Sequence, residues 1–480
     1  MRLRFATGLI AVAALSSCGA EKPAAPVNIV LISIDSLRPD HIGAYGYPRP
    51  TAPTLDRLAA EGALFENVVA ESSWTLPTHM TMLTGLSTLA HGVDSFAGGR
   101  LDDTRTTLAE RLRDAGYQTW GIYSGPYLHP VFGFGKGFDR YEGILGETTA
   151  LDREGFDLGT PEAAREVMSA NSRAHRTVTS ERVSERAIEL LRQRRERPFF
   201  LFLHYFDVHY DYIPPESLWR RFDPEYKGTL RAEGYRRNPA IHRDMNSEDL
   251  RHVIALYDGE ILHTDGHIGS VIEALEGQGL TEDTLVVVTS DHGDEFFEHG
   301  RKGHGQSLFD EVLMVPLIVR LPGRIQAGLR IREQVRHLEI GPTILSYAGI
   351  RADLEGTDLG TVLAGRSSLP ELDAVSTLRR NGLSLSLRMP KYKYLLHREG
   401  SSMTETLYHL TRDPQEQAPV QRSEMAASAQ TLELFDRLRF QLLRNEQLAI
   451  GGHSTGEVEL PAEVIEQLRS LDYISQDPRE

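Results

Sequence analysis

The run Leu285-Val286-Val287-Val288-Thr289-Ser290, followed at once by Asp291-His292-Gly293-Asp294, most narrows the folds open to this chain. An apolar, β-branched run without polar alternation reads as a strand covered on both faces, the kind found in parallel sheets flanked by helices. Sheet packing asks for no acid, imidazole and glycine at the point where such a strand ends. In open α/β sheets that edge is where ligands bind. Adjacent carboxylate and imidazole ligands suit a borderline divalent cation such as zinc or manganese. An isolated Asp-His-Gly also passes as a polar turn, so the rest of the chain has to carry the reading.

Strands and helices alternate through most of the sequence. Residues 27–34 form a near-continuous apolar strand ending in Asp35. Helical spacing of apolar residues marks 54–61, and a second helix over 101–115 is stopped by Gly116. A strand at 117–123 follows, then a helix over 178–195 and the strand 199–203, which ends in His204. A long helix at 249–275 precedes the 285–290 strand, and 315–319 makes one more buried strand. That order predicts a mostly parallel central sheet flanked by helices. Around residue 370 the alternation stops. Residues 383–388, 391–397 and 404–410 read as antiparallel strands, followed by a helix over 426–445. The expected division is an α/β catalytic domain over 28–370 and a smaller α+β subdomain over 371–480.

Three buried strands thus end in polar residues: Asp35; His204 with Asp207 and His209; and Asp291 with His292. Parallel strands would bring all of them to one edge of the sheet. A fourth element is Ser73-Trp74-Thr75-Leu76-Pro77-Thr78-His79, continuing to Gly85. Pro77 suits the first turn of a helix, so Thr75 is expected at or just before its N-terminus. A hydroxyl there serves as an N-cap. The same position stabilises an alkoxide through the positive end of the helix dipole. A metal held by Asp35, Asp291 and His292 would lower that hydroxyl's pKa and polarise a phosphoryl or sulfuryl oxygen.

The N-terminus bears on compartment. A basic start, an apolar stretch over 5–15 and Leu15-Ser16-Ser17-Cys18-Gly19 look like a bacterial lipoprotein signal (1–17), cleaved before a lipid-modified Cys18. Residues 18–27, rich in Ala and Pro, read as a tether. Gly19, rather than Asp, resembles outer-membrane sorting, so the expected partner is a membrane reached through the Cys18 lipid, facing the periplasm or cell surface. Cys18 is the only cysteine, which excludes an internal disulfide and a thiol catalyst elsewhere. A net charge of −16 without a basic patch argues against a nucleic-acid polymer as partner.

Together these residues resemble the sulfatase family of the alkaline phosphatase superfamily. Asn28 through His41 resembles the family's first metal-binding strand. Thr75-Leu76-Pro77-Thr78-His79 with Leu83-Thr84-Gly85 is similar to its nucleophile signature, Cys-x-Pro-Ser-Arg with Leu-Thr-Gly downstream. Asp291 to Gly305 resembles the second metal strand and the substrate-binding loop beyond it. Leu203 to His209, with Pro214-Pro215, matches a substrate-side His motif, and Tyr408 to Glu416 resembles the C-terminal signature. The fold implied is the alkaline-phosphatase-like α/β sandwich with a smaller antiparallel subdomain.

The departures shape the functional expectation. Sulfatases convert the signature Cys or Ser to formylglycine, a conversion not expected of Thr75. His79 replaces the signature arginine, Ser36 replaces the second acid of an Asp-Asp pair, and the sulfate-binding Gly-Lys-Trp-His stretch has no clear counterpart near 124–129. A threonine nucleophile resembles the superfamily's phosphodiesterases and phosphoglycerol or phosphoethanolamine transferases. The expected activity is therefore metal-dependent hydrolysis of phosphoesters or phosphodiesters. Alternatives are sulfuric ester hydrolysis without formylglycine, a transferase of that type, and a non-catalytic lipoprotein binding anionic glycans. Thr75 is the expected nucleophile, with His209 and His304 binding non-bridging oxygens or protonating the leaving group. Asp35, Asp291 and His292 are the expected ligands of one divalent ion: zinc, manganese or, by the resemblance, calcium. His79, His204, Asp207 and Lys302 are expected on the substrate side, with Asp207 orienting His209 or joining a second metal site.

Overall fold

The computed structural model describes residues 27–94, 99–145, 178–193, 195–380 and 382–420. Ten strands belong to the first part: β1 (Asn28–Ile34), β2 (Ala63–Val69), β3 (Gln118–Tyr123), β4 (Arg140–Gly143), β5 (Phe199–Tyr205), β6 (Thr284–Ser290), β7 (Glu295–Phe296), β8 (Lys302–Gly303), β9 (Leu317–Arg320) and β10 (Leu329–Arg336). Four follow: β11 (Ala374–Arg379), β12 (Leu383–Arg388), β13 (Lys393–Glu399) and β14 (Ser402–Tyr408). The longer helices are α1 (Pro53–Glu61), α2 (Thr75–Thr84), α3 (Leu108–Asp114), α4 (Ser180–Leu191), α5 (Ser247–Gly277) and α6 (Ile340–Tyr347).

The large sheet has the order β10-β2-β9-β6-β1-β5-β3-β4. Its centre, β6-β1-β5-β3, is parallel throughout, as the apolar runs predict. Alternate residues of each central strand go to opposite faces. Ile29, Leu31, Phe200, Phe202, Leu285 and Val287 pack with Met80 and Leu83 of α2, Leu112 of α3 and Ile344 of α6. Val30, Ile32, Leu201, Leu203, Val286 and Val288 pack with Leu58 of α1, Val183 and Leu190 of α4 and Val253 and Ile268 of α5. Both faces are dry, so the strands carry no polar alternation.

Local chemistry sets the helix starts. The 101–115 segment becomes helical only at Leu108, where Thr107 accepts from the Glu110 N–H at 3.1 Å and the Glu110 carboxylate accepts from the Thr107 N–H at 2.9 Å. That reciprocal pair satisfies two otherwise orphaned donors. Asn246 caps α5 in a similar way, accepting from the Asp249 N–H at 2.8 Å.

The buried strand expected at 315–319 is β9, and it runs antiparallel to both neighbours, β2 and β6. The second sheet is antiparallel, in the order β11-β12-β13-β14. Its first strand, β11, was not anticipated. It attaches to the large domain at the β2–α2 connection, where Thr377 N–H donates to Glu71 O at 2.9 Å and Ser376 Oγ to Ala70 O at 2.7 Å. The expected signal, Cys18, most of the tether and the 426–445 helix lie outside the described residues.

Candidate active site

Register brings the polar strand ends together. Ile34 pairs with Tyr205 on one side and Ser290 on the other, so the next residues, Asp35 and Asp291, leave the sheet at the same level. Asp35 N–H is still held by Tyr205 O at 2.9 Å. Ser36 then adopts a left-handed backbone with φ 58°, uncommon for a residue with a side chain. In that conformation its N–H donates to Asp291 Oδ1 at 3.1 Å and its hydroxyl to Asp35 Oδ1 at 2.9 Å. The serine in place of a second acid thus locks the two aspartates.

Thr75 opens α2 instead of capping it. Trp74 occupies the cap position, and no side chain accepts a hydrogen bond there. The Thr75 hydroxyl instead faces the acidic cluster, 3.4 Å from both Asp35 Oδ2 and His292 Nε2. All ten residues of α2 are buried, which fixes the hydroxyl against the sheet edge.

Asp35, Asp291 and His292 present ligand atoms within 4.8 Å of one another. Asp291 Oδ2 lies 3.3 Å from His292 Nε2, and Asp35 Oδ1 lies 3.7 Å from the same nitrogen. Asp291 Oδ2 and both ring nitrogens of His204 are buried without a hydrogen-bond partner among the described residues. His292 Nδ1 meets the Gly293 carbonyl at 3.0 Å. A carbonyl only accepts, so the Nδ1–H is fixed there and the Nε2 lone pair faces the cluster, the usual preparation of a metal-binding histidine. Donor atoms about 3.3–3.6 Å apart match a tetrahedral ion with ligand bonds of about 2.0–2.2 Å. The residues therefore fit a divalent cation.

The electrostatics agree. Burial pushes Asp35 up to about 6 and Asp294 up to about 7. Burial pulls His292 down, but Asp291, Asp35 and Asp294 outweigh it and raise its pKa. Several acids crowd one dry spot with too little positive charge, a situation that a cation relieves.

Of the residues expected on the substrate side, His209 and His304 line one cavity with Thr75, Trp74, Tyr127 and Arg380. Their rings meet edge to face at 4.8 Å. Asp294 Oδ1 binds His304 Nδ1 at 2.6 Å, so a carboxylate orients this imidazole. His204 faces the acids from the other side, its Nε2 3.4 Å from Asp35 Oδ2.

Three residues stand elsewhere. His79 is fully buried beneath Thr75, its Nδ1 2.8 Å from the Thr75 carbonyl and its Nε2 2.8 Å from Ser33 Oγ. Burial lowers its pKa to about 3, so it offers no charge to an anion. The Asp207 carboxylate is taken up by Thr179 and Ser180 at the start of α4, accepting from both backbone N–H groups and the Thr179 hydroxyl. It does not contact His209, whose Nδ1 meets the Tyr210 carbonyl. Lys302 reaches backward to the carbonyls of Asn238 and Ile241. Asp294, Arg236 and Arg380 were given no role from the sequence. Asp294 sits inside the Asp-His-Gly-Asp motif and was within reach, whereas the two arginines come from irregular loops without a pattern.

The "Sulfatase" family model matches residues 27–350. The chain is 26% identical to human arylsulfatase A over 87% of each chain. A structure described as bound to its substrate D-glucosamine-2-N,6-O-disulfate superposes with TM-score 0.70 at 19% identity, covering 88% of this chain and 98% of that one. The phosphonate monoester hydrolase of Agrobacterium radiobacter superposes with TM-score 0.68 at 22% identity, covering 88% of this chain and 96% of that one. With the family model spanning the sheet and every strand end described above, this chain belongs to the sulfatase family, metal-dependent hydrolases acting on sulfate or phosphate esters.

Proposed function

We propose that the chain is a metal-dependent hydrolase of phosphoesters or phosphodiesters with Thr75 as nucleophile. The observation that carries this reading is the Thr75 hydroxyl, 3.4 Å from both Asp35 and His292 at the first turn of α2. Threonine gives no formylglycine, so the hydroxyl itself is the nucleophile this position offers. The phosphonate monoester hydrolase among the structural neighbours is consistent with phosphorus chemistry on this fold.

Asp35, Asp291 and His292 would hold the metal, which when bound polarises the ester and lowers the hydroxyl's pKa. Thr75 Oγ1, its proton lost to solvent water, forms the bond to phosphorus while the ester oxygen leaves on the opposite side. His209 or His304 hands that oxygen a proton, and water cleaves the threonyl phosphoester to regenerate the hydroxyl. Arg236 and Arg380, both lining the cavity, neutralise the anionic oxygens. Export and lipid attachment at Cys18 belong to the same proposal.

The test is turnover of nitrophenyl phosphate, phosphodiester, phosphonate and sulfate by metal-loaded protein, with Thr75→Ala and Thr75→Ser. Phosphorus-ester turnover that Thr75→Ala abolishes and Thr75→Ser partly keeps is the expected result. Sulfate turnover alone, or full activity in Thr75→Ala, would overturn the assignment.

A further inference from the structure

A second set of ligand-type side chains stands behind the catalytic loop. Glu295, His299 and Glu311 place ligand atoms within 4.8 Å of one another. Glu295 lies in β7, His299 in the tight connection to β8, and Glu311 in a short helix, Asp310–Leu313. Successive strand residues face opposite ways. Asp294 holds His304 Nδ1 at 2.6 Å, and the next residue, Glu295, belongs to the second cluster.

The Glu295 side chain is the observation that asks for a ligand. It is 0% exposed, and neither carboxylate oxygen has a hydrogen-bond partner among the described residues. The buried Ser307 hydroxyl stands beside it and favours its charged form. Arg301 favours the charged carboxylate through space and makes no hydrogen bond to it. A buried carboxylate left in this way is costly unless it is paired or coordinates an ion.

His299 is prepared as a partner. Its Nε2 lies 3.1 Å from the Glu416 carbonyl, which only accepts, so that nitrogen carries the hydrogen. Nδ1 is hydrogen-bonded to Glu311 Oε1 at 2.5 Å, through a proton that a bound cation would displace, and the ring is stacked flat on Phe309 at 3.6 Å. An imidazole anchored through one nitrogen to a carbonyl, with the other aimed at carboxylates, has the outer support of a metal-ligating histidine.

We propose that Glu295, His299 and Glu311 form a second divalent-cation site, distinct from the Thr75 cluster and suited by its two carboxylates and one imidazole to zinc or manganese. The site joins the loop after β6 to the 310–313 helix and, through His299 and Glu416, to the segment after β14. It is a clamp behind the catalytic loop rather than a reaction centre.

The test is anomalous scattering at the zinc edge from crystals of the unmodified full chain grown with millimolar zinc. A peak enclosed by Glu295, His299 and Glu311 is expected, and its absence would overturn the site. A second measurement counts zinc by mass spectrometry after gel filtration in Asp291→Asn, where the Thr75 cluster is broken. That chain should retain about one zinc and lose it when His299→Gln is added. An Asp291→Asn chain free of zinc would also overturn the proposal. Neither readout depends on activity, so failure of the threonine mechanism would leave both unaffected.

Discussion

The His79 imidazole bridges Ser33 on β1 and the carbonyl of Thr75, 2.8 Å from each. Its Nδ1–H must donate to that carbonyl, which leaves Nε2 to accept from the serine hydroxyl. The residue standing where the family signature has arginine therefore holds the nucleophile's backbone, and its Nδ1 lies 3.6 Å from Asp291 Oδ2. His79→Ala removes a fully buried ring and leaves the Thr75 carbonyl unpaired. It is expected to cost about 2–4 kcal/mol of stability and to lower kcat more than it raises KM. Chemical denaturation and steady-state kinetics check both.

Gly293 leaves no room for a side chain. A Cβ there would lie 2.2 Å from the Glu311 carbonyl oxygen and 3.0 Å from Arg38 Cγ. Its N–H also donates to Val312 O at 3.0 Å. Gly293→Ala must therefore displace the backbone between His292 and Asp294. It is expected to cut turnover by about a hundredfold and to weaken metal retention in a chain whose circular dichroism still reports a folded sheet.

Glu71 gives a pH dependence away from the catalytic cluster. Burial pushes its carboxyl up to about 8, against the opposing pull of Arg336. A raised carboxyl pKa means the folded chain keeps a proton that the unfolded chain releases. The stabilising contribution is complete below about 4.5, falls as pH rises from there to about 8, and is gone above that. Glu71→Gln, which is neutral at every pH, should raise the Tm at pH 8.5 and leave it nearly unchanged at pH 4.5. Calorimetry at the two pH values decides it.

Arg380 enters the cavity from the β11–β12 turn and lines it with Thr75 and His304. Its Nη1 also donates to Gly305 O at 3.1 Å. Arg380→Ala is expected to raise KM for a phosphodiester about tenfold, equivalent to about 1.4 kcal/mol, with kcat within about twofold. A fall in kcat with unchanged KM would place the arginine in the chemical step instead.

Chelation should abolish turnover and lower the Tm. An ion bound at about a hundred times its Kd stabilises the fold by about 2.7 kcal/mol. Restoring zinc or manganese should recover both quantities together.

The parallel core was legible because strands buried on both faces carry runs such as 285–288, and their polar ends then fall at one level. Asp35, Asp291 and His292 could be gathered on that logic, whereas Thr75 was placed by Pro77 at a helix start and by the family resemblance. Strand direction was not legible for β9, since a parallel and an antiparallel strand between the same neighbours need the same apolar residues. β11, with Ser376 and Thr377 buried by hydrogen bonds to the β2–α2 connection, lacks the apolar pattern of its neighbours. Asp207 was misread because its partners, Thr179 and Ser180, are distant in sequence and capping of this kind leaves no local motif. Arg236 and Arg380 reach the cavity from loops, where position depends on the tertiary fold.

The reversed direction of β9 has an evolutionary consequence. Thr289 on β6 pairs with Leu317 on β9, so everything between them departs from the sheet and returns to the adjacent strand, about 4.8 Å away. The intervening stretch holds Asp291, His292, Asp294 and His304, and it begins and ends at one doorway. Insertions, deletions or wholesale exchange of that stretch need not disturb the order of a single strand. A scaffold arranged in this way can vary the contacts that Asp291 to His304 make while the strand carrying Asp35 and the helix carrying Thr75 stay in place.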